Sequence, residues 1–237
     1  MRKNLLITLI LGLYSPFVFP QFEQSKKISM IWELKKIEHY LESNNQTVEK
    51  SKEVFNKVLS YAIEGNSKAA CIMGILYKDG IGCPIDYNKA RVWFSFAYTA
   101  GSDKAAYSLG YLYLKGLGDV EQDYSKAIEW FDAAEAEAEE DLKIEIEYHR
   151  RSIASVFLDS IQNYKNQMTI AEAEKLARDA LELFPEHKRG NQILAGIYLD
   201  KGILNTDIEN YSGAIQNYLY AIELYPPIET IVLEKFN

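Results

Sequence analysis

The sequence predicts an all-α protein, a right-handed α-solenoid built from antiparallel helix pairs. Residues 67–101 return as residues 103–136 with the same glycines, tyrosines and tryptophans in the same order. A repeat length in the mid-thirties is typical of helical solenoids. Outside these two repeats, apolar residues recur at three-and-four spacing, which is the period of an amphipathic helix.

The two repeats match position by position. Gly74, Tyr77, Gly80 and Gly82 return 36 residues later as Gly110, Tyr113, Gly116 and Gly118. Asp86, Tyr87, Lys89, Ala90, Trp93, Phe94 and Ala97 return 37 residues later as Asp123, Tyr124, Lys126, Ala127, Trp130, Phe131 and Ala134. The change of offset places one inserted residue in the loop between the two blocks.

The N-terminal segment, residues 1–22, is predicted to be a signal peptide. Arg2 and Lys3 precede an apolar run at 5–13, and two prolines follow. The run is too short for a comfortable membrane span. We therefore expect an exported protein, periplasmic or secreted, cleaved near Pro20–Glu23, with no stable membrane span in the mature chain. An uncleaved anchor and a disordered apolar tail stay open as the alternatives.

Residues 28–66 are interpreted as a degenerate N-terminal helix pair that caps the array. Segments 28–43 and 47–64 both carry the helical apolar period, with Thr47 as the expected N-cap of the second helix. The phrase EGNSKAA that ends this pair is close to AGSDKAA, which ends the first clear repeat.

Within each repeat the first helix is predicted at 68–78 and 104–115. Gly74 and Gly110 fall in mid-helix, where glycine costs about 0.8–1 kcal/mol relative to alanine. We therefore expect a neighbouring helix to approach the backbone closely at both positions. The glycine pairs that follow each helix are expected to end it and to shape a loop needing positive φ.

The second helix of each repeat is predicted to open at an aspartate N-cap, Asp86 or Asp123. Alanine, tryptophan, phenylalanine and alanine then follow at i, i+3, i+4 and i+7. This stripe is expected to bury against the first helix and the next repeat.

These shared positions resemble the Sel-one-like repeat (SLR), a branch of the tetratricopeptide repeat (TPR) superfamily. The glycines, the tyrosine and the Trp-Phe pair stand in place twice, and the resemblance covers residues 67–137. It implies a solenoid that acts as an adaptor in signalling, protein quality control or host contact.

Residues 138–237 are interpreted as TPR-like helices with a C-terminal capping helix. A long charged helix is predicted at 138–165, and patterns resembling TPR helices follow it. The connection Lys201–Asn210 exceeds the usual length by about seven residues, so we expect it to bulge out as a loop. Residues 28–237 are expected to form one continuous superhelix, with the repeat type changing near residue 140.

Composition and motifs argue against other function classes. The net charge of −8 and the pI of about 5.1 disfavour nucleic acid as a partner. His39, His149 and His187 are scattered, without ligand spacing, and no phosphate loop or nucleophile elbow occurs in the sequence. We predict no enzyme activity, no cofactor and no metal, and two free thiols at Cys71 and Cys83.

A solenoid instead offers a concave surface lined by the first helix of each repeat. Projecting the TPR layout places Cys71, Ile75 and Leu199 on this surface, together with the eight residues predicted to bind a partner. These eight are Lys68, Lys78, Lys104, Tyr107, Tyr111, Lys115, Arg189 and Gln192. Their basic and aromatic character predicts an acidic or carboxylate-ended protein segment as the ligand.

The sequence thus predicts an exported, non-enzymatic scaffold for protein–protein interaction. Two alternatives stay open. One is an envelope small-ligand binder or hydrolase of the cysteine-rich SLR type, although the paired cysteines of that group are absent. The other is a structural subunit of a larger envelope assembly, which would expose an apolar patch outside the groove or an end helix that pairs with a copy of itself.

Overall fold

The computed structural model describes residues 23–43, 46–136, 138–161 and 168–233. Within these ranges every regular element is a helix and no strand occurs, which confirms the predicted all-α fold for this part of the chain. The chain divides into two compact units, Met1–Ala138 and Glu139–Asn237. The predicted signal peptide lies outside the described residues.

The first unit consists of helices that pack on their neighbours in chain order. They are α1 (residues 23–42), α2 (Val48–Ile63), α3 (Ser67–Asp79), α4 (Tyr87–Thr99), α5 (Asp103–Lys115) and α6 (Tyr124–Glu135). Helices α3 and α4 form the first repeat, and α5 and α6 form the second. All the helices predicted in this region are therefore present.

The pair α1–α2 is tied together at its turn. Thr47 caps α2 by accepting a hydrogen bond from the Lys50 backbone N–H, as predicted. The hydroxyl groups of Tyr40 and Ser51 lie 3.0 Å apart, which joins the end of α1 to the start of α2. Leu34 of α1 is buried in the same core as the first repeat.

The predicted aspartate caps are confirmed in both repeats. Asp86 accepts a hydrogen bond of 2.9 Å from the Lys89 N–H, and Asp123 accepts one of 3.0 Å from the Lys126 N–H. Each lysine ammonium also lies over a tyrosine ring of the preceding helix, at 5.4 Å from Tyr77 for Lys89. The second helix of each repeat is thus anchored to the first by its opening turn.

The predicted apolar stripe of the second helices is buried. Ala90, Phe94 and Ala97 of α4 have no exposed surface, and their counterparts on α6 are equally buried. Trp93 and Trp130 are half-buried, and the Trp130 ring packs edge-on to Tyr98 at 5.1 Å between centroids. These side chains form the seams between successive helices.

The second unit also consists of helices that pack in sequence. They are α7 (Glu140–Ile161), α8 (Ile170–Leu183), α9 (Lys188–Asp207), α10 (Tyr211–Leu224), a 3₁₀ turn (Pro226–Ile228) and α11 (Glu229–Leu233). Small residues of α8 and α10, such as Ala177 and Ala221, are fully buried at the contacts with α7 and α9. The 3₁₀ turn and α11 together form the short helix expected after the proline pair.

The loop predicted at Lys201–Asn210 is wrong, because α9 continues without interruption to Asp207. The extra residues lengthen the helix instead of bulging from it. Gly202 lets the Tyr218 ring of α10 lie against the α9 backbone, since a Cβ there would be 2.3 Å from the ring. The hydroxyl groups of Thr206 and Tyr218 then lie 3.3 Å apart. The added turns of α9 thus pack against Tyr218 of α10.

Candidate functional site

Three of the predicted partner-binding residues meet on the surface shared by α3 and α5. The Lys78 ammonium lies 6.0 Å from the centre of the Tyr111 ring, and the Lys115 ammonium lies 5.9 Å from it. Lys78 comes from α3, whereas Tyr111 and Lys115 lie one turn apart on α5. We call these three residues the Lys–Tyr–Lys cluster.

The cluster presents an aromatic ring between two positive charges. Both distances fall within the range of a cation–π interaction, which is worth about 0.5–1 kcal/mol at an exposed site. Lys115 is exposed, while the Lys78 side chain is 26% exposed and forms an ion pair with the adjacent Asp79. The Tyr111 ring is flanked by two ammonium groups, an arrangement that suits a carboxylate-bearing ligand with an apolar body.

Tyr107 and Lys104 lie further towards the start of α5. The Tyr107 ring packs against Phe131 of α6, with 5.7 Å between centroids, and is half-buried. Lys104 is exposed in the first turn. The two residues share one side of α5 with Ser108, Tyr111 and Lys115, so the predicted face of this helix is continuous.

The corresponding side of α3 differs from the prediction at Cys71. Its side chain is 5% exposed and belongs to the core, so its placement in the groove is wrong. Burial raises the pKa of Cys71 to about 11, although a hydrogen bond with Ser102 acts in the opposite direction. Ile75, one turn further on, is also partly buried against the core. Cys71 has a small side chain, and the neighbouring helices cover it.

Two of the predicted basic residues already face carboxylates on a neighbouring helix. Lys68 of α3 lies 2.7 Å from Glu38 of α1, and Arg189 of α9 lies 2.7 Å from Asp159 of α7. These ion pairs partly neutralise two basic side chains that were predicted to bind an acidic ligand. The residues concerned remain about half exposed, so each pair is worth about 0–1 kcal/mol.

The eight predicted residues are divided between the two units. Lys68, Lys78, Lys104, Tyr107, Tyr111 and Lys115 lie on the first unit, whereas Arg189 and Gln192 lie on α9 of the second. Gln192 is exposed, and Leu199 packs partly into the core of its unit. The first unit therefore holds the larger share of the predicted site.

A cleft in the second unit was not predicted from the sequence. It encloses about 580 Å³ and is bounded by α8, α9 and α10. Its lining residues are Arg178, Asn191, Leu194, Tyr198, Tyr220, Glu223 and Leu224. The cleft lies beside the first half of α9 and the end of α10. The added turns of α9 do not line it, and the apolar period that continues through Ile203 could have signalled those turns.

A polar network forms one wall of the cleft. Glu174 accepts hydrogen bonds from Lys201 at 2.8 Å, from Tyr198 at 2.9 Å and from Arg178 at 3.1 Å. Partial burial alone would raise the pKa of Glu174, but these three donors outweigh it and hold the pKa below its usual value. The Tyr198 ring also packs 5.5 Å from Tyr220 across the cleft. The polar groups of this wall therefore hydrogen-bond to one another.

Two further features, a metal-binding group and a membrane-spanning helix, are absent from the part of the chain that the structure describes. No group of three or more His, Cys, Asp or Glu side chains lies in a metal-binding arrangement there. Among the same residues, no helix is both long and apolar enough to cross a membrane.

Comparison with known families identifies the two repeats. The family profile described as Sel1 repeat matches residues 67–102 and 103–137. The chain therefore contains two Sel1 repeats. The matched segments coincide with the helix pairs α3–α4 and α5–α6, which carry the Lys–Tyr–Lys cluster.

Two curated relatives are similar to this chain over the Sel1 repeats. The ERAD-associated E3 ubiquitin-protein ligase component HRD3B of Arabidopsis thaliana is 41% identical over 80 residues, which are 33% of this chain and 12% of that protein. The putative sel1-like repeat-containing protein L21 of Acanthamoeba polyphaga mimivirus is 36% identical over 59 residues, 25% of this chain and 10% of that protein. The matched regions thus span about a tenth of the length of these relatives.

Two solved structures of Sel1-like proteins also align with this chain. A Sel1 repeat protein from Oxalobacter formigenes aligns with 74% of this chain and 63% of its own, at 20% identity and a TM-score of 0.38. The protective antigen c5321 of uropathogenic Escherichia coli, which displays an SLR fold, aligns with 87% of this chain and 47% of its own. Its identity is 18% and its TM-score is 0.43.

Sel1 repeats mediate protein–protein interaction, and proteins that contain them are generally scaffolds for such interactions. Three of the eight predicted binding residues of this chain, Lys78, Tyr111 and Lys115, meet on the surface of α3 and α5.

Proposed function

We propose that this protein is an exported, non-enzymatic adaptor that binds an acidic segment of a protein partner on the surface of α3 and α5. The observation that carries the proposal is the Lys–Tyr–Lys cluster, in which two ammonium groups flank one tyrosine ring. Carboxylates of the partner would pair with the ammonium groups, and an apolar side chain would cover the ring.

The chemistry of the surface supports binding more than catalysis. Lys78 and Lys115 place their ammonium groups beside the Tyr111 ring, where each can donate charge-assisted hydrogen bonds to a carboxylate while the ring contacts an apolar side chain. Lys104 extends the positive charge along α5. On a protein of net charge −8, the ammonium groups of this face attract acidic segments, although Asp79 already pairs with Lys78.

The test uses a fluorescein-labelled peptide of alternating Glu and Leu, with a Lys and Leu peptide as the charge control. We expect the acidic peptide to bind and the basic peptide not to bind. Reversal of both lysines, by Lys78→Glu with Lys115→Glu, should weaken acidic-peptide binding about tenfold, since attraction at two sites becomes repulsion.

The matched control is Lys52→Glu with Lys57→Glu on α2. It makes the same change in net charge, and Lys57 also lies over a tyrosine ring, 5.5 Å from the centre of Tyr61. The control should retain binding. Equal loss in both double variants would assign the effect to net charge and contradict the proposed surface.

A further inference from the structure

One end of the second unit exposes a concentration of large apolar side chains. Six residues are each between 47% and 65% exposed: Leu204 of α9, Ile208 directly after it, Tyr211, Ile215 and Leu219 of α10, and Ile231 of α11. The three α10 residues follow one another at four-residue spacing and so share one side of the helix. We call these six residues the tail face.

Acidic side chains accompany the tail face. Asp207, Glu223 and Glu229 are exposed on the same helices, and Glu209 is exposed in the turn between α9 and α10. No Lys, Arg or His occurs between residues 202 and 233. The natural partner of such a surface is an apolar helix face bordered by basic side chains.

Helix α1 of the first unit carries such a face. Ile28, Ile31 and Trp32 are 51%, 44% and 64% exposed, and Lys35 continues their i, i+3, i+4, i+7 stripe. Leu34 points the other way, into the core of its unit. We call the four residues of the stripe the head face. Lys27 is also exposed on this helix and adds positive charge near the stripe, whereas the Lys36 ammonium lies 3.3 Å from the Glu33 carboxylate.

Neither face has the polar character that is expected of an uncovered outer face in a repeat array. In solenoids the outermost repeats present polar outer faces, because an apolar face left uncovered promotes association. A soluble protein rarely exposes a contiguous apolar patch larger than a few hundred Å² without a partner for it. A covering partner is therefore expected for each face.

We propose that the head face of one molecule docks on the tail face of a second copy of the same chain. The apolar stripe of α1 then packs against α10, and Lys35 comes near the acidic groups that border the tail face. The contact uses none of the Lys–Tyr–Lys residues, so it is independent of the proposed partner binding.

The charges of the two faces favour the head-to-tail contact over a tail-to-tail dimer. A tail-to-tail dimer would bring four carboxylates of each copy together with no basic residue between 202 and 233 to offset them. A head-to-tail contact brings unlike charges together instead. Because its two surfaces differ, it is heterologous and generates rings or open chains instead of a simple two-fold dimer.

The test uses two single substitutions, Trp32→Glu in the head face and Leu219→Glu in the tail face. The full chain is expressed, and the recovered protein is followed by sedimentation velocity over a concentration series. We expect the wild-type protein to self-associate and each variant alone to stay monomeric. An equimolar mixture of the two variants should form dimers and nothing larger, since each supplies the one intact face that the other lacks.

Matched controls carry the same charge change at exposed apolar positions outside both faces. Val92→Glu on α4 and Ile144→Glu on α7 replace side chains that are 61% and 63% exposed, and both should associate as the wild-type protein does. Circular dichroism of every variant checks that the helices remain.

Three outcomes would overturn the proposal. A wild-type protein that stays monomeric throughout the series shows that no such contact forms. Association of Trp32→Glu at wild-type strength indicates a tail-to-tail contact. A mixture that stays monomeric shows that the two faces do not bind each other.

Discussion

Gly74 of α3 lies directly beneath the Phe94 ring of α4: a Cβ added to Gly74 would be 2.4 Å from the ring. Gly110 and Phe131 repeat the relationship in the second repeat, at 2.7 Å. The mid-helix glycine thus leaves room for a phenylalanine ring that packs on the helix backbone. The same contact joins the two helices of each Sel1 repeat.

Replacing either glycine by alanine should destabilise the protein, although alanine favours helices by about 1 kcal/mol. The added methyl group has to displace a buried ring, which costs about 1–3 kcal/mol and more than cancels the gain. We expect Gly74→Ala or Gly110→Ala to lower the free energy of unfolding by about 1–2 kcal/mol in urea titration.

Gly196→Ala is the matched control for this prediction. Gly196 also lies inside a helix, α9, but nothing lies within 4 Å of the added Cβ. This change should stabilise the protein by up to about 1 kcal/mol. A similar effect of all three substitutions would show that the phenylalanine contact is not the reason for the glycines.

The aspartate caps should make stability depend on pH. Hydrogen bonds from the backbone and ammonium of Lys89 lower the pKa of Asp86 from 3.8, and the backbone of Lys126 is the main cause of the same shift at Asp123. A carboxyl group with a lowered folded-state pKa stabilises the fold above its unfolded pKa and loses this effect as the pH falls through the folded value.

Asp86→Asn combined with Asp123→Asn keeps the capping oxygen and removes the charge. We expect the double variant to be less stable than the wild-type protein at neutral pH, and the difference to vanish as the pH falls below 3.8. Urea titrations at several pH values measure this, with Glu121→Gln as an exposed control. A difference that stays constant with pH would contradict the electrostatic explanation.

The two cysteines should differ in reactivity towards Ellman's reagent. Burial raises the pKa of Cys71 from 9.0 to about 11, which lowers its thiolate fraction roughly a hundredfold, and the side chain is also shielded. Cys83 is half-buried in a loop. We expect Cys83 to react in the folded protein and Cys71 only after unfolding. Native reactivity that persists in Cys83→Ser would contradict this.

Export is predicted from residues 1–22, which lie outside the described residues. Expression of the full chain in a bacterium should yield a shortened protein outside the cytoplasm, cleaved near Pro20–Glu23. Intact-mass measurement of the recovered protein locates the cut. Replacing Leu9 in the apolar run by Arg should abolish processing, because that run is what the export machinery recognises. A full-length cytoplasmic product from the unaltered chain would contradict the prediction.

The repeated part of the fold could be predicted well from the sequence because its determinants are local. Asp86 caps the helix that it begins, and Gly80 adopts the positive φ of 69° that ends α3. Each such residue acts within a few positions of itself, and a second copy 36 or 37 residues later confirmed its role. The glycine under Phe94 was predicted as a close approach, although the sequence did not say which side chain approaches.

The errors in prediction come from contacts between distant segments. The longer α9 depends on Tyr218, which packs on Gly202 from another helix. The acidic partners of Lys68 and Arg189 come from helices some 30 residues earlier in the chain. Neighbouring charges of this kind cannot be read from spacing within one repeat, and they decide how much positive charge a surface offers.

The most direct measurement of the central claim is photo-crosslinking in the producing cell. A benzoylphenylalanine placed at Ser108 lies on the side of α5 that carries Lys104, Tyr111 and Lys115, while one at the exposed Val92 of α4 serves as the control. The account predicts an adduct from position 108 whose crosslinked peptide is acidic, and none from position 92. Adducts from position 92 alone, or a basic crosslinked peptide at position 108, would contradict it.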